Sequence, residues 1–177
     1  MTLATWITVS RLLAIPVLLL WLHTEPGTTL PSDLLRWSSV VIFLVAAGTD
    51  WVDGYVARRF DQVSDLGKFL DPLVDKLLVL APLLSLIAWG VIPAWSVFLI
   101  LLRELAIAGW RVQQTQISGA NLWGKAKTVT QISAIALLMA PLPAPWPAWS
   151  LGVYALAIVL TLVSGILYLW PQSAQPL

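Results

Sequence analysis

Residues 50–75 read DWVDGYVARRFDQVSDLGKFLDPLVD, and they set four aspartates, Asp50, Asp53, Asp71 and Asp75, against segments that are otherwise apolar. Asp50 and Asp53 are three apart, while Gly67, Asp71 and Asp75 are each four apart. On helices, each of these sets lies on one face. A short connection between two such helices makes them antiparallel neighbours and brings both acidic faces together at one end. The stretch therefore predicts a helical hairpin with a carboxylate cluster near its turn.

The rest of the chain shows what surrounds that hairpin. Of 177 residues, 59% are hydrophobic and 11% are charged, and the mean hydropathy is +0.85. Soluble domains are about a quarter charged, and disordered chains are polar, so both classes are excluded. A net charge of +1 without a basic cluster argues against a nucleic-acid partner. With no cysteine there is no disulfide, thiol nucleophile or thiolate zinc site. The composition is that of an all-α integral membrane protein.

A membrane-crossing helix needs about 20 mostly apolar residues. Six segments meet that need: Trp6–Leu22, Leu34–Ala57, Phe69–Trp89, Pro93–Val112, Leu122–Ala140 and Ala148–Trp170. Glu25-Pro26-Gly27, Gly90 with Pro93, Ser118–Asn121 and Pro141–Pro147 punctuate them. They use nearly all of residues 1–177, which are read as a single membrane domain. Several of the 11 tryptophans fall near span ends, as in an interfacial belt. A cleaved signal peptide is the alternative for the first span. Its only basic residue, Arg11, comes late, and no small-residue cleavage site follows.

Basic residues set the orientation. Arg11, Arg58, Arg59, Lys68, Arg111, Lys125 and Lys127 fall on the side of the N-terminus, and Arg36 alone on the other. Both termini and the acidic cluster are accordingly expected on the cytoplasmic side of the cell membrane, the inner membrane where there are two.

An aspartate at the middle of a span costs roughly 2.5–3.5 kcal/mol on insertion scales, so four of them call for compensating cations. Oxygen donors without His or Cys favour hard divalent ions such as Mg²⁺ or Mn²⁺, and two would balance four carboxylates. Such ions usually complete their coordination with substrate phosphates. Gly54 and Ala57 keep the helix surface small beside the aspartates, and Arg58 suits bidentate phosphate contact. The pattern points to chemistry on a phosphate ester embedded in the membrane. A divalent-cation transporter is the alternative from another class, although transporters place their sites near the bilayer midplane.

Asp50-x2-Asp53-Gly54-x2-Ala57-Arg58-x8-Gly67-x3-Asp71-x3-Asp75 resembles, at every fixed position, the signature of the CDP-alcohol phosphatidyltransferases. Thr8-x2-Arg11, Arg103-Glu104 and Gly124-Lys125-x-Lys127-Thr128 look like the bacterial phosphatidylglycerophosphate synthases within that family. Thr5 is a departure, standing where those enzymes usually have Asn. The resemblance implies a six-helix membrane fold, often homodimeric. It also implies transfer of a phosphatidyl group from CDP-diacylglycerol to glycerol 3-phosphate with release of CMP; other acceptors in the family include inositol phosphate and serine. It assigns Asp50, Asp53, Asp71 and Asp75 to two metal ions, with Asp75 also taking the acceptor's proton. Thr5, Thr8, Gly54, Ala57, Arg58, Ser64 and Gly67 fall to the nucleotide and its pyrophosphate. Arg103, Arg111, Lys125 and Lys127 are the candidates for the acceptor's phosphate, with a structural Arg103–Glu104 ion pair and plain interfacial lysines as alternatives.

Gly119-x4-Gly124-Lys125 imitates a phosphate-binding loop, but Ala126 replaces the Ser or Thr and no strand precedes it. His23, the sole histidine, reads as a loop residue on the outer side.

Overall fold

The computed structural model describes residues 3–23, 30–60, 65–112 and 122–169, with side chains described for 10–23, 30–49, 73–110 and 123–167. Among the described residues there are six helices and no strand: α1 Leu3–Trp21, α2 Asp33–Phe60, α3 Asp65–Ala88, α4 Ala94–Val112, α5 Leu122–Met139 and α6 Trp146–Leu169. Each expected segment is a helix, and the boundaries follow local chemistry. Ser32 caps α2, its Oγ accepting from the Leu35 N–H at 3.4 Å. At the end of α3, Gly90 adopts φ 71°. There the Gly90 N–H bonds the Ile87 carbonyl at 2.9 Å and the Val91 N–H bonds the Leu86 carbonyl at 3.0 Å. This is a Schellman stop, which needs the left-handed backbone that glycine supplies freely. Helix α2 begins and ends close to its expected limits, and α3 starts four residues early, at Asp65.

The chain forms two compact units, Met1–Ile92 with Ile135–Pro143, and Pro93–Ala134 with Ala144–Leu177. In the first, α1 packs against α2 and α3, and α2 touches α3. Val74, Leu78, Ala81 and Ser85 form the buried stripe of α3 at helical spacing. Leu18, Phe43 and Met139 are fully enclosed beside it. The helix ends away from the aspartates are tied by two side chains. Arg36 donates through Nε to the Met139 carbonyl at 2.9 Å and through Nη2 to the Ala140 carbonyl at 3.2 Å. Its guanidinium also lies 5.3 Å from the centre of the Trp89 ring. Trp89 in turn donates to the Leu22 carbonyl at 3.2 Å, just past α1. Arg36 thus caps the last carbonyls of α5. Arg36→Met should lower stability by about 1–3 kcal/mol through loss of charged hydrogen bonds to carbonyls. The expected readout is a melting temperature several degrees lower in detergent with turnover kept at low temperature; an unchanged melting temperature would dismiss the cap as incidental.

The second unit inverts the soluble pattern. The stripe of α6 that is buried consists of Ser150, Tyr154, Ala157, Thr161 and Ser164. Trp149, Leu151, Leu156, Val159, Leu162, Ile166 and Leu167 face outward. Helices α4 and α6 pack together, and Ser96 Oγ meets Tyr154 Oη at 2.8 Å. Hydroxyls inside and hydrocarbon outside is how helices associate in lipid, where burying apolar surface gains nothing. By length and composition, one helix among the described residues, Trp146–Leu167, is apolar enough to cross a membrane; α1 adds a shorter apolar stretch, Ser10–Trp21. The other expected spans carry the aspartates and basic residues within their length, which lowers their mean apolarity.

Candidate functional site

The signature falls on two consecutive helices, as its spacing predicts. Asp50, Asp53, Gly54, Ala57 and Arg58 occupy the second half of α2, and Gly67, Asp71 and Asp75 the first half of α3. Asp53 stands about two turns before the end of α2, and Asp71 about two turns after the start of α3. The two carboxylate pairs are therefore at matching heights along adjacent helices. The side chains of Asp50, Asp53, Arg58 and Asp71 lie outside those described, as do those of Thr5 and Thr8 on α1 and Arg111 near the end of α4; Ser64 lies outside the described residues altogether.

Asp75 is described, and Arg11 is among its partners. The Arg11 guanidinium donates to Asp75 Oδ1 across 64 residues of sequence. The arginine side chain is 1% exposed and the carboxylate 38%. Sequence reasoning placed Arg11 among the interfacial positive charges of the first span. The structure corrects this: Arg11 lies inside the first unit, where a charge needs a counter-charge, and α1 packing on α3 supplies one. The available signal was a lone arginine one turn beyond Thr8 in an apolar helix. A cleft of about 300 Å³ opens beside it, lined by Arg11 and Ala14 of α1 and by Val41, Val45, Ala46 and Thr49 of α2, among others. Its polar lining is Ser10, Arg11 and Thr49, the last next to Asp50 in sequence, and the rest is apolar.

The donor chemistry suits a hard divalent cation. The signature carboxylates offer oxygen alone, from helices that touch, and Asp75 stays half-exposed while held by Arg11. Among the residues with described side chains there is no group of three or more His, Cys, Asp or Glu, since three of the four signature aspartates are not among them.

The second unit holds a different cluster. Arg103 Nη1 donates to Glu104 Oε1 at 2.9 Å, and Lys127 Nζ donates to the same oxygen. Arg103 Nη2 donates to Ser164 Oγ at 2.9 Å. This joins α4, α5 and α6 through one carboxylate and two cations. Lys127 is buried, so the plain interfacial reading fails for it. Lys125 is exposed. Two residues apart on a helix diverge by about 200°, and α5 is regular from Leu122 through Gly124, so the two lysines part company. The structure brings Arg103 and Lys127 together and leaves Lys125 on another face. The Arg103–Glu104 ion pair that the sequence offered as the alternative to acceptor contact is present, and Ser164 is the member to which the motifs gave no role. The phosphate-loop imitation stays dismissed, because Ala126 holds the Ser or Thr position and no strand is found among the described residues.

The chain is similar to known proteins along most of its length. A family model described as CDP-alcohol phosphatidyltransferase matches residues 1–167. Over 173 residues the chain is 39% identical to the CDP-diacylglycerol–glycerol-3-phosphate 3-phosphatidyltransferase of Bacillus subtilis (strain 168), covering 90% of this chain and 89% of that one. It is 36% identical to a probable phosphatidylglycerophosphate synthase of Mycobacterium tuberculosis, covering 94% of this chain and 79% of that one. A Pseudomonas fluorescens protein with the same name as the Bacillus one is 34% identical over 97% of this chain and 92% of its own.

Proposed function

This chain belongs to the CDP-alcohol phosphatidyltransferase family, and from that premise we propose that it transfers the phosphatidyl group of CDP-diacylglycerol to glycerol 3-phosphate, forming phosphatidylglycerophosphate and CMP. The observation that carries this reading is similarity across nearly the whole chain to proteins named for that transfer, at 34–39% identity. The six helices are taken as membrane spans, with the signature end facing the cytoplasm. Recounted without the buried Arg11 and Lys127, the basic asymmetry keeps its sign, because Arg58, Arg59, Lys68, Arg111 and Lys125 still outnumber Arg36.

In the proposed reaction the acceptor hydroxyl attacks the phosphatidyl phosphorus. The new ester bond forms as the bond to CMP breaks, and CMP leaves with that electron pair. Asp75 accepts the hydroxyl proton, and Arg11 holds the Asp75 carboxylate in a fixed orientation for it. Asp50, Asp53, Asp71 and Asp75 are the residues to hold two Mg²⁺ or Mn²⁺ ions. Such ions, when bound, neutralise charge on the pyrophosphate and the departing CMP. Thr5, Thr8, Gly54, Ala57, Arg58, Ser64 and Gly67 orient the cytidine and pyrophosphate. The apolar cleft between α1 and α2 suits an acyl chain of the lipid substrate.

Arg103 and Lys127 serve the acceptor's phosphate, and Arg111 and Lys125 complete the set of candidates. Arg103 and Lys127 both pair with Glu104 in the second unit, and a guanidinium beside an ammonium is a donor set that suits a phosphate. The test is CMP release from CDP-diacylglycerol in vesicles, given glycerol 3-phosphate, inositol phosphate, serine or no acceptor. Release is expected with glycerol 3-phosphate alone, with phosphatidylglycerophosphate as product. Release with another acceptor instead reassigns the substrate, and divalent-cation flux without CMP release favours the transporter.

A further inference from the structure

Helix α6 carries none of the signature residues, yet two of its side-chain positions determine where Arg103 stands. Arg103 Nη2 donates to Ser164 Oγ at 2.9 Å. The Ser164 hydroxyl spends its own proton on the Thr161 carbonyl, at 3.0 Å, which turns its lone pairs toward the arginine. The next residue is Gly165, and the arginine stem lies against it. A Cβ at Gly165 would meet Arg103 Cγ at 3.0 Å, Nε at 3.6 Å and Cδ at 3.9 Å. A side chain at this position would push the stem away by a few tenths of an ångström. Arg103 Nε is buried and finds no acceptor among the described residues, which carries a desolvation cost. The unit accepts that cost while both terminal nitrogens are satisfied, Nη1 by Glu104 and Nη2 by Ser164.

We propose that Ser164 and Gly165 are positioning residues for the acceptor site, a hydroxyl latch and a backbone notch that fix the Arg103 guanidinium for the phosphate of the acceptor alcohol. This rests on the assignment of Arg103 to the acceptor's phosphate. Simple helix-to-helix adhesion accounts for the placement less well. The same α4–α6 seam is already bonded by the neutral Ser96–Tyr154 pair. At Arg103 the seam instead holds a guanidinium whose Nε has no acceptor among the described residues, a charged and incompletely satisfied group that adhesion does not need and that suits an anionic substrate.

The experiment uses full-length protein in nanodiscs and compares wild type with Ser164→Ala, Gly165→Ala and Arg103→Gln. KM for glycerol 3-phosphate, KM for CDP-diacylglycerol, kcat and the melting temperature are measured for each. Alanine is the better helix former at both positions, so both α6 variants should fold. Each is expected to raise KM for glycerol 3-phosphate about tenfold, in keeping with a sub-ångström displacement of a binding group. KM for CDP-diacylglycerol and kcat should stay near wild type, and the melting temperature should fall modestly in Ser164→Ala, which loses a hydrogen bond to a charged group. A lower melting temperature with both KM values unchanged would mean that the two residues only hold helices together, and would overturn the proposal. If Arg103→Gln raises the acceptor KM while the α6 variants do not, the positioning role alone fails. If Arg103→Gln leaves the acceptor KM unchanged, the acceptor assignment fails and the positioning role falls with it.

Discussion

Replacing Asp75 with Asn should reduce turnover by at least about 10²-fold, the contribution expected of a general base placed on the reacting hydroxyl. Asparagine keeps the size of the side chain and a carbonyl oxygen that can accept from Arg11, so the ion pair becomes a hydrogen bond and the first unit should still fold. What disappears is the capacity to take a proton and one charge among the four carboxylates. CDP-diacylglycerol binding should accordingly survive better than in Asp50→Asn, where a cation ligand is lost without any change at the base. Turnover and lipid binding measured on the same folded preparations separate these effects. Near-normal turnover in Asp75→Asn would place the base elsewhere.

Chelation should have a larger effect still. With EDTA, CMP release is expected to fall to background and to return on adding Mg²⁺ or Mn²⁺, but not Na⁺ or K⁺. The physical reason is charge. Four ionised aspartates gathered at one site would, without cations, repel one another and the pyrophosphate alike. Oxygen donors of this kind select hard divalent ions. The assay is CMP release across a chelator titration with each ion restored separately. Full activity at saturating EDTA would remove metal ions from the reaction and, with them, the roles given to Asp50, Asp53 and Asp71.

The number and type of the described helices, and their limits to within about a turn, were legible in the sequence, because the signals that set them act within a turn or two. Gly90 supplies a left-handed backbone, Ser32 caps the amides that follow it, and long apolar runs leave helix as the economical way to bond every amide in lipid. The aspartate signature was legible for the same reason, since spacings of three and four convert directly into one face of a helix. A charge in an apolar segment announced that it needs a partner, but only packing could say which one. Arg11 finds Asp75 across 64 residues, and Arg36 finds the Met139 carbonyl across 103. Lys125 and Lys127 read as equals in sequence, and the rotation of α5 buries one on Glu104 and exposes the other. Ser164 and Gly165 gave no sign at all, because a serine and a glycine in an apolar helix are commonplace. Their meaning depends on the arginine that α4 lays across them, and only the tertiary structure brings that arginine there.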